Sequence, residues 1–118
     1  MELHFSKLQV WNKAHLFVLE IYKISKNFPS EERYRLVDQL CRSASSIATN
    51  IVEGNTRSSK KDFARFIEIS QGSLEETKYH LLLARDLGYL EPVDFESLIM
   101  RANEIGRMLS GLSKSAKS

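Results

Sequence analysis

Apolar positions recur at helical spacing in four separate stretches of this chain. From about Ser6 to Asn27, the residues Val10, Ala14, Phe17, Ile21, Ile24 and Phe28 fall at alternating intervals of four and three, a heptad seam on one helix face. Leu8, Trp11, Val18 and Tyr22 widen this helix beyond one apolar side. It therefore has more to bury than one partner covers, and these four are the predicted contacts with another subunit. Phe28-Pro29 ends the stretch, because the residue before proline is pushed out of the α region.

The second helix is predicted after Ser30, its N-cap, with Glu31 and Glu32 in the first turn, where the helix dipole favours acids. Leu36, Leu40, Ala44, Ile47 and Ile51 form its core stripe, flanked by the small residues Ser43, Ser45, Ser46, Ala48 and Thr49. Small side chains admit a close neighbour, which suits a central helix. Gly54 is the expected C′ residue, free to take a positive φ. After the loop 55–58, Ser59 with Asp62 resembles a capping box and opens a third helix that runs to about Leu87. Its inner side is Phe63, Phe66, Ile67, Ser70, Leu74, Thr77, Leu81 and Ala84. Gly72 interrupts it, and close packing against the small residues of helix two is the expected reason. Gly88 closes it. Asp94 is the expected cap of the fourth helix, whose stripe is Leu98, Ala102, Ile105, Leu109 and Leu112, with a frayed tail over 113–118. Four amphipathic helices with short connections predict an all-α, antiparallel up-and-down four-helix bundle, one domain over 1–118.

Composition narrows the class. A chain of 118 residues that is 42% hydrophobic and 27% charged can bury a core. No apolar run approaches the roughly 20 residues needed to cross a bilayer, and no signal-peptide pattern opens the chain, so a cytoplasmic protein with no membrane partner is expected. Cys41 is the single cysteine, which rules out an intrachain disulfide and reads as a small buried hydrophobe. The net charge of +2 hides an uneven distribution. Positions 23–65 carry nine basic and five acidic side chains, positions 66–105 three basic and eight acidic.

Candidate chemistry is sparse. A di-iron bundle needs Glu-x-x-His on two helices, and none of His4, His15 and His80 has a glutamate three residues before it. Glu76 and His80 share a helix face as an expected surface pair. No nucleophile elbow, phosphate loop or dinucleotide fingerprint occurs, so no enzyme activity, metal or cofactor is expected. The basic residues Arg42, Arg57, Lys60, Lys61 and Arg65 are the candidate nucleic-acid contacts, acting as charges toward phosphate. Antiparallel second and third helices would gather the last four at one end of the bundle.

Phe5-x-x-Leu8-x-Val10-Trp11, Ile21-Tyr22, Phe28-Pro29 and Asp38-Gln39-Leu40 resemble the four-helix-bundle proteins encoded in intervening sequences of bacterial 23S rRNA genes. Ser46-Ile47, Asn50-Ile51, Glu53-Gly54, Arg57, Phe63-x-x-Phe66, Gly72-Ser73-Leu74-x-Glu76 and Leu87-Gly88-Tyr89 extend the match over nearly the whole chain. The resemblance implies a cytoplasmic homopentamer. It also implies kinship with the accessory subunit of diversity-generating retroelements, which pairs with a reverse transcriptase and binds nucleic acid through basic residues. Where that family reads Gln-Leu-Arg-Arg-Ala-Ala, this chain reads Gln39-Leu40-Cys41-Arg42-Ser43-Ala44, one arginine fewer. Among matched residues, Gly54 and Gly88 have turn roles, Asn50 and Glu53 are expected to reach loop amides, and Trp11 and Tyr22 read as core or interface aromatics. The expected function is a non-catalytic homo-oligomeric bundle acting as an RNA- or single-stranded-DNA-associated scaffold. The rival is a protein-interaction module without nucleic-acid affinity.

Overall fold

Each apolar stripe becomes one helix, and the seams bury the residues their spacing predicts. The computed structural model describes residues 8–118, so Phe5, His4 and the expected helix start near Ser6 lie outside the described residues. The helices are α1 (Gln9–Ser25), α2 (Leu36–Gly54), α3 (Lys60–Asp86) and α4 (Pro92–Lys117), and no strand occurs among the described residues. Val10, Ala14, Phe17 and Ile21 of α1 are buried, as are all five stripe residues of α2 and Leu98, Ala102, Ile105 and Leu109 of α4. Ile24, Leu112 and the predicted inner residues Phe63 and Phe66 of α3 are only half-buried. Helices of 27 and 26 residues rise about 40 Å at 1.5 Å per residue, which sets the 43 Å long axis. The bundle is antiparallel and square: α2 packs on α1 and α3, α3 on α4, and the α1–α4 seam is the thinnest.

The α1–α2 connection departs from expectation. After Pro29 the chain makes a 3₁₀ turn over Ser30–Glu32, and α2 begins only at Leu36. Ser30 makes no side-chain cap; the cap position of α2 is Arg35. The reason is Glu32, whose carboxylate is buried at 4% exposure and engaged elsewhere. Tyr89 Oη donates to Glu32 Oε2 at 2.7 Å, and Arg35 Nε lies 3.4 Å from Oε1. A side chain from the α3–α4 turn thus ties down the α1–α2 turn.

Small residues meet along the α2–α3 seam in a ladder of hydroxyls. Ser70 Oγ donates to the Ile47 carbonyl at 2.8 Å, and the Ser46 and Ser73 hydroxyls are 2.8 Å apart. Thr77 Oγ1 lies 2.8 Å from both Ser43 Oγ and the Ser73 carbonyl. Asn50 donates to Ser46 rather than to loop amides, and Glu53 pairs with Arg57. No buried side-chain polar atom among the described residues lacks a hydrogen-bond partner, so the ladder is satisfied.

The glycines correct two readings. Gly54 does not take positive φ; it is the last residue of α2, buried, and a Cβ there would sit 3.0 Å from Phe66 Cβ. Its role is close helix approach, not backbone freedom. Gly72 is exposed and a Cβ there meets nothing within 4 Å, so it does not pack on α2. Gly88 does adopt φ of 82°. Tyr89 N–H donates to the Ala84 carbonyl and Gly88 N–H to that of Arg85, a Schellman closure.

Two expectations for α4 also change. Pro92 occupies its first turn and Glu91 the cap position, so Asp94 lies inside the helix and caps nothing. The helix continues to Lys117 where a frayed tail is expected, because Ser113 is buried and Lys117 Nζ reaches Glu68 Oε1 at 3.1 Å.

Candidate nucleic-acid interface

The junction between α2 and α3 is built tightly. Asn55 continues the α2 ladder with its N–H on the Ile51 carbonyl, and Thr56 and Arg57 N–H groups bond the carbonyls of Glu53 and Gly54. Ser59 then caps α3, its Oγ accepting from Asp62 N–H at 3.1 Å. Two turns of regular backbone therefore position every basic side chain that follows.

Arg57, Lys60, Lys61 and Arg65 gather at this end, as expected, but they are not equivalent. The Arg57 guanidinium lies 4.5 Å from the centre of the Phe66 ring and 3.6 Å from Glu53 Oε2. It is held down by a cation–π contact and partly neutralised. Lys60, Lys61 and Arg65 are exposed and form no ion pair among the described residues. Arg42 is not brought to the cluster. It points outward from mid-α2, about 18 Å of helix from Gly54, with both Asp38 carboxylate oxygens 3.0–3.1 Å from its Nε.

Lys117 joins the cluster, because antiparallel α4 ends where α3 begins. Lys61, Arg65 and Lys117 line an open groove of about 670 Å³ between α3 and α4. The signal was in Arg107, Lys114 and Lys117, three basic residues with no acid among positions 106–118, the last two in a tail expected to fray. Asp62 and Glu68 line the same groove and temper its charge.

The predicted interface residues of α1 divide. Leu8, Trp11 and Val18 are half-buried against the core, with Trp11 stacked on His15 at 4.9 Å between ring centres. Tyr22 is 47% exposed. The more open apolar residues of α1 are Leu16 at 57% and Leu19 at 52%. Cys41 is half-buried, with Sγ 3.6 Å from Ser25 Oγ.

His80 is not half of a surface pair. It is buried at 5% exposure, with Nδ1 3.4 Å from Ser43 Oγ, while exposed Glu76 lies 3.9 Å from Nε2. Burial pushes its pKa below the usual 6.5, and the Glu76 charge pulls the other way. Tyr89 is shifted upward by its hydrogen bond to Glu32. No group of three or more His, Cys, Asp or Glu residues among the described ones is placed to hold a metal ion, and no helix there is long and apolar enough to cross a membrane.

The sequence profile of the family described as 23S rRNA-intervening sequence protein matches residues 6–111. The chain belongs to this family. A solved structure from Bacteroides thetaiotaomicron, a protein with unknown function from the S23 ribosomal protein family, superposes with a TM-score of 0.80 at 29% identity. The match covers 89% of this chain and 98% of that one. No curated protein matches. This chain thus shares the architecture of that relative along almost its whole length.

Proposed function

We propose that this chain is a non-catalytic, self-associating bundle whose basic end contacts the phosphate backbone of RNA or single-stranded DNA. The observation that supports this most directly is the convergence of Lys60, Lys61 and Arg65 at one end with no ion pair among the described residues. Single phosphate contacts are weak, and an assembly repeats the cluster in each copy, which multiplies counterion release and adds avidity. Such binding tolerates any sequence, because phosphate contacts carry no base information. A reverse transcriptase is the protein partner that the resemblance to the retroelement accessory subunit implies.

Fluorescence anisotropy with mixed-sequence RNA tests it. Binding is expected at about 50 mM salt and falls steeply by about 200 mM. Changing Lys60, Lys61 and Arg65 to Gln lowers affinity alike for all sequences, and each lost phosphate contact flattens the salt slope by about 1. No binding by the unaltered protein at low salt sinks the nucleic-acid reading.

The competing reading is a protein-interaction module without nucleic-acid affinity. It is favoured by the neutralisation of Arg42 by Asp38 and of Arg57 by Glu53, which removes two of the five expected phosphate contacts.

A further inference from the structure

The end of the bundle opposite the basic cluster holds a pocket that neither the core nor the proposed phosphate contacts use. Pro29 turns the chain out of α1, and the 3₁₀ turn over Ser30–Glu32 delays α2 to Leu36, so the two helices separate here. Where they still face each other the side chains are short, with Ser25 Oγ 3.6 Å from Cys41 Sγ. The space left is about 510 Å³, within the roughly 300–1,000 Å³ of small-molecule sites.

Its lining divides into an apolar floor and a charged mouth. Phe28, Pro29, Val37 and the exposed ring of Tyr22 supply the apolar surface. Lys26 and Arg33 line the same space, both exposed, and neither side chain makes a hydrogen bond or ion pair among the described residues. The one acid in the lining, Asp38, has both carboxylate oxygens 3.0–3.1 Å from Arg42 Nε, so its charge is already met. Nor do the carbonyls at the end of α1 answer the cations, since those of Ile24 and Ser25 accept from the Asn27 and Phe28 N–H groups. Two unmet positive charges therefore stand beside an apolar surface.

We propose that this pocket binds a small aromatic phosphate monoester, its ring on Phe28, Pro29 and Val37 and its phosphate between Lys26 and Arg33. A phosphate monoester carries about 1.5–2 negative charges near neutral pH, which two unpaired cations match better than the single charge of a carboxylate. The guanidinium fork adds paired hydrogen bonds to phosphate oxygens. Tyr22 offers the ligand ring an edge-on or offset partner. The site goes beyond the RNA-contacting reading, since it uses none of Lys60, Lys61 and Arg65 and lies at the other end of the bundle.

Titration of the full chain with phenyl phosphate, followed by amide chemical shifts, tests this. Shifts are expected to centre on Ser25, Val37 and Cys41 and to saturate with a Kd of about 1 mM, the scale for so small a ligand. Inorganic phosphate, which lacks the ring, is expected to bind more weakly. Lys26→Gln combined with Arg33→Gln should weaken phenyl phosphate about tenfold, as loss of hydrogen bonds to a charged group does, and leave the circular dichroism unchanged because both side chains are exposed. Cys41→Leu, which sets a larger side chain in the pocket, should abolish binding. Changing Lys60, Lys61 and Arg65 to Gln should leave it as it is in the unaltered chain. Shifts centred on positions 60–65, equal binding of inorganic phosphate, full affinity in the Lys26 and Arg33 variant, or no saturation by about 10 mM each overturns the pocket. None of these outcomes bears on RNA binding, which the anisotropy measurement tests separately.

Discussion

Gly54 and Gly72 lie in adjacent helices and face opposite surroundings. Adding a Cβ at Gly54 presses on Phe66 Cβ at 3.0 Å, which has to give by a few tenths of an ångström. Gly54→Ala should lower stability by about 1–3 kcal/mol, the usual cost of overpacking. Gly72→Ala should raise it by about 0.5–1 kcal/mol, because the methyl meets open space and only helix propensity changes. Paired thermal melts check both signs. The difference was partly legible: the inward residues Ser70 and Leu74 place Gly72, two positions from each, on the opposite side of its helix. The same reasoning turns His80 inward, one position before Leu81 and three after Thr77. Because burial holds its pKa below 6.5, the unfolded chain takes up a proton first as the pH falls through that value. The unfolded state then holds more protons, so stability drops with pH in the window just below 6.5. Denaturant titrations at about pH 7.5 and about pH 5.5 should show a smaller loss for His80→Gln than for the unaltered chain. An equal loss removes the histidine from the account.

The element scale separates what periodicity encodes from what it does not. Core stripes were readable because burying one helix face needs only a repeating interval, and Val10 to Ile21, Leu36 to Ile51 and Leu98 to Leu109 obey it. Helix starts were not read correctly, since one predicted cap lost to an interaction distant in sequence and another to a proline two residues before it. Ser30 yields to a turn organised around Glu32, 57 residues from its partner Tyr89, and Asp94 yields to Pro92. In the basic cluster, the positions of Arg57 to Arg65 followed from antiparallel threading. The pairing of Arg42 with Asp38 at i, i+4 was a local signal that the charge count overlooked. The Tyr89–Glu32 bond predicts a measurable cost. Tyr89→Phe keeps the ring against Phe28 but leaves a buried carboxylate short of a donor, so stability should fall by about 1–3 kcal/mol in a chemical melt.

At the scale of the whole molecule, function is expected to follow from repetition of one modest basic end. Triple replacement of Lys60, Lys61 and Arg65 by Gln should weaken RNA binding while the scattering mass and melting temperature stay unchanged, since all three side chains are exposed. A shift in mass would mean that these residues serve assembly instead. The hydroxyl ladder between α2 and α3 has a consequence in time. Those helices are joined by a five-residue connection and share the most extensive seam, whereas α1 and α4 meet along the thinnest. Local openings draw on the least-packed parts first. Helix α1 should therefore come away first while the α2–α3 hairpin persists, its closest contacts being also the nearest in sequence. Amide deuteration followed over hours should reach Ala14 and Phe17 well before Ile47 and Leu74. The most durable part of the protein is then also the part whose loop carries the basic residues, and it keeps its shape while the rest breathes.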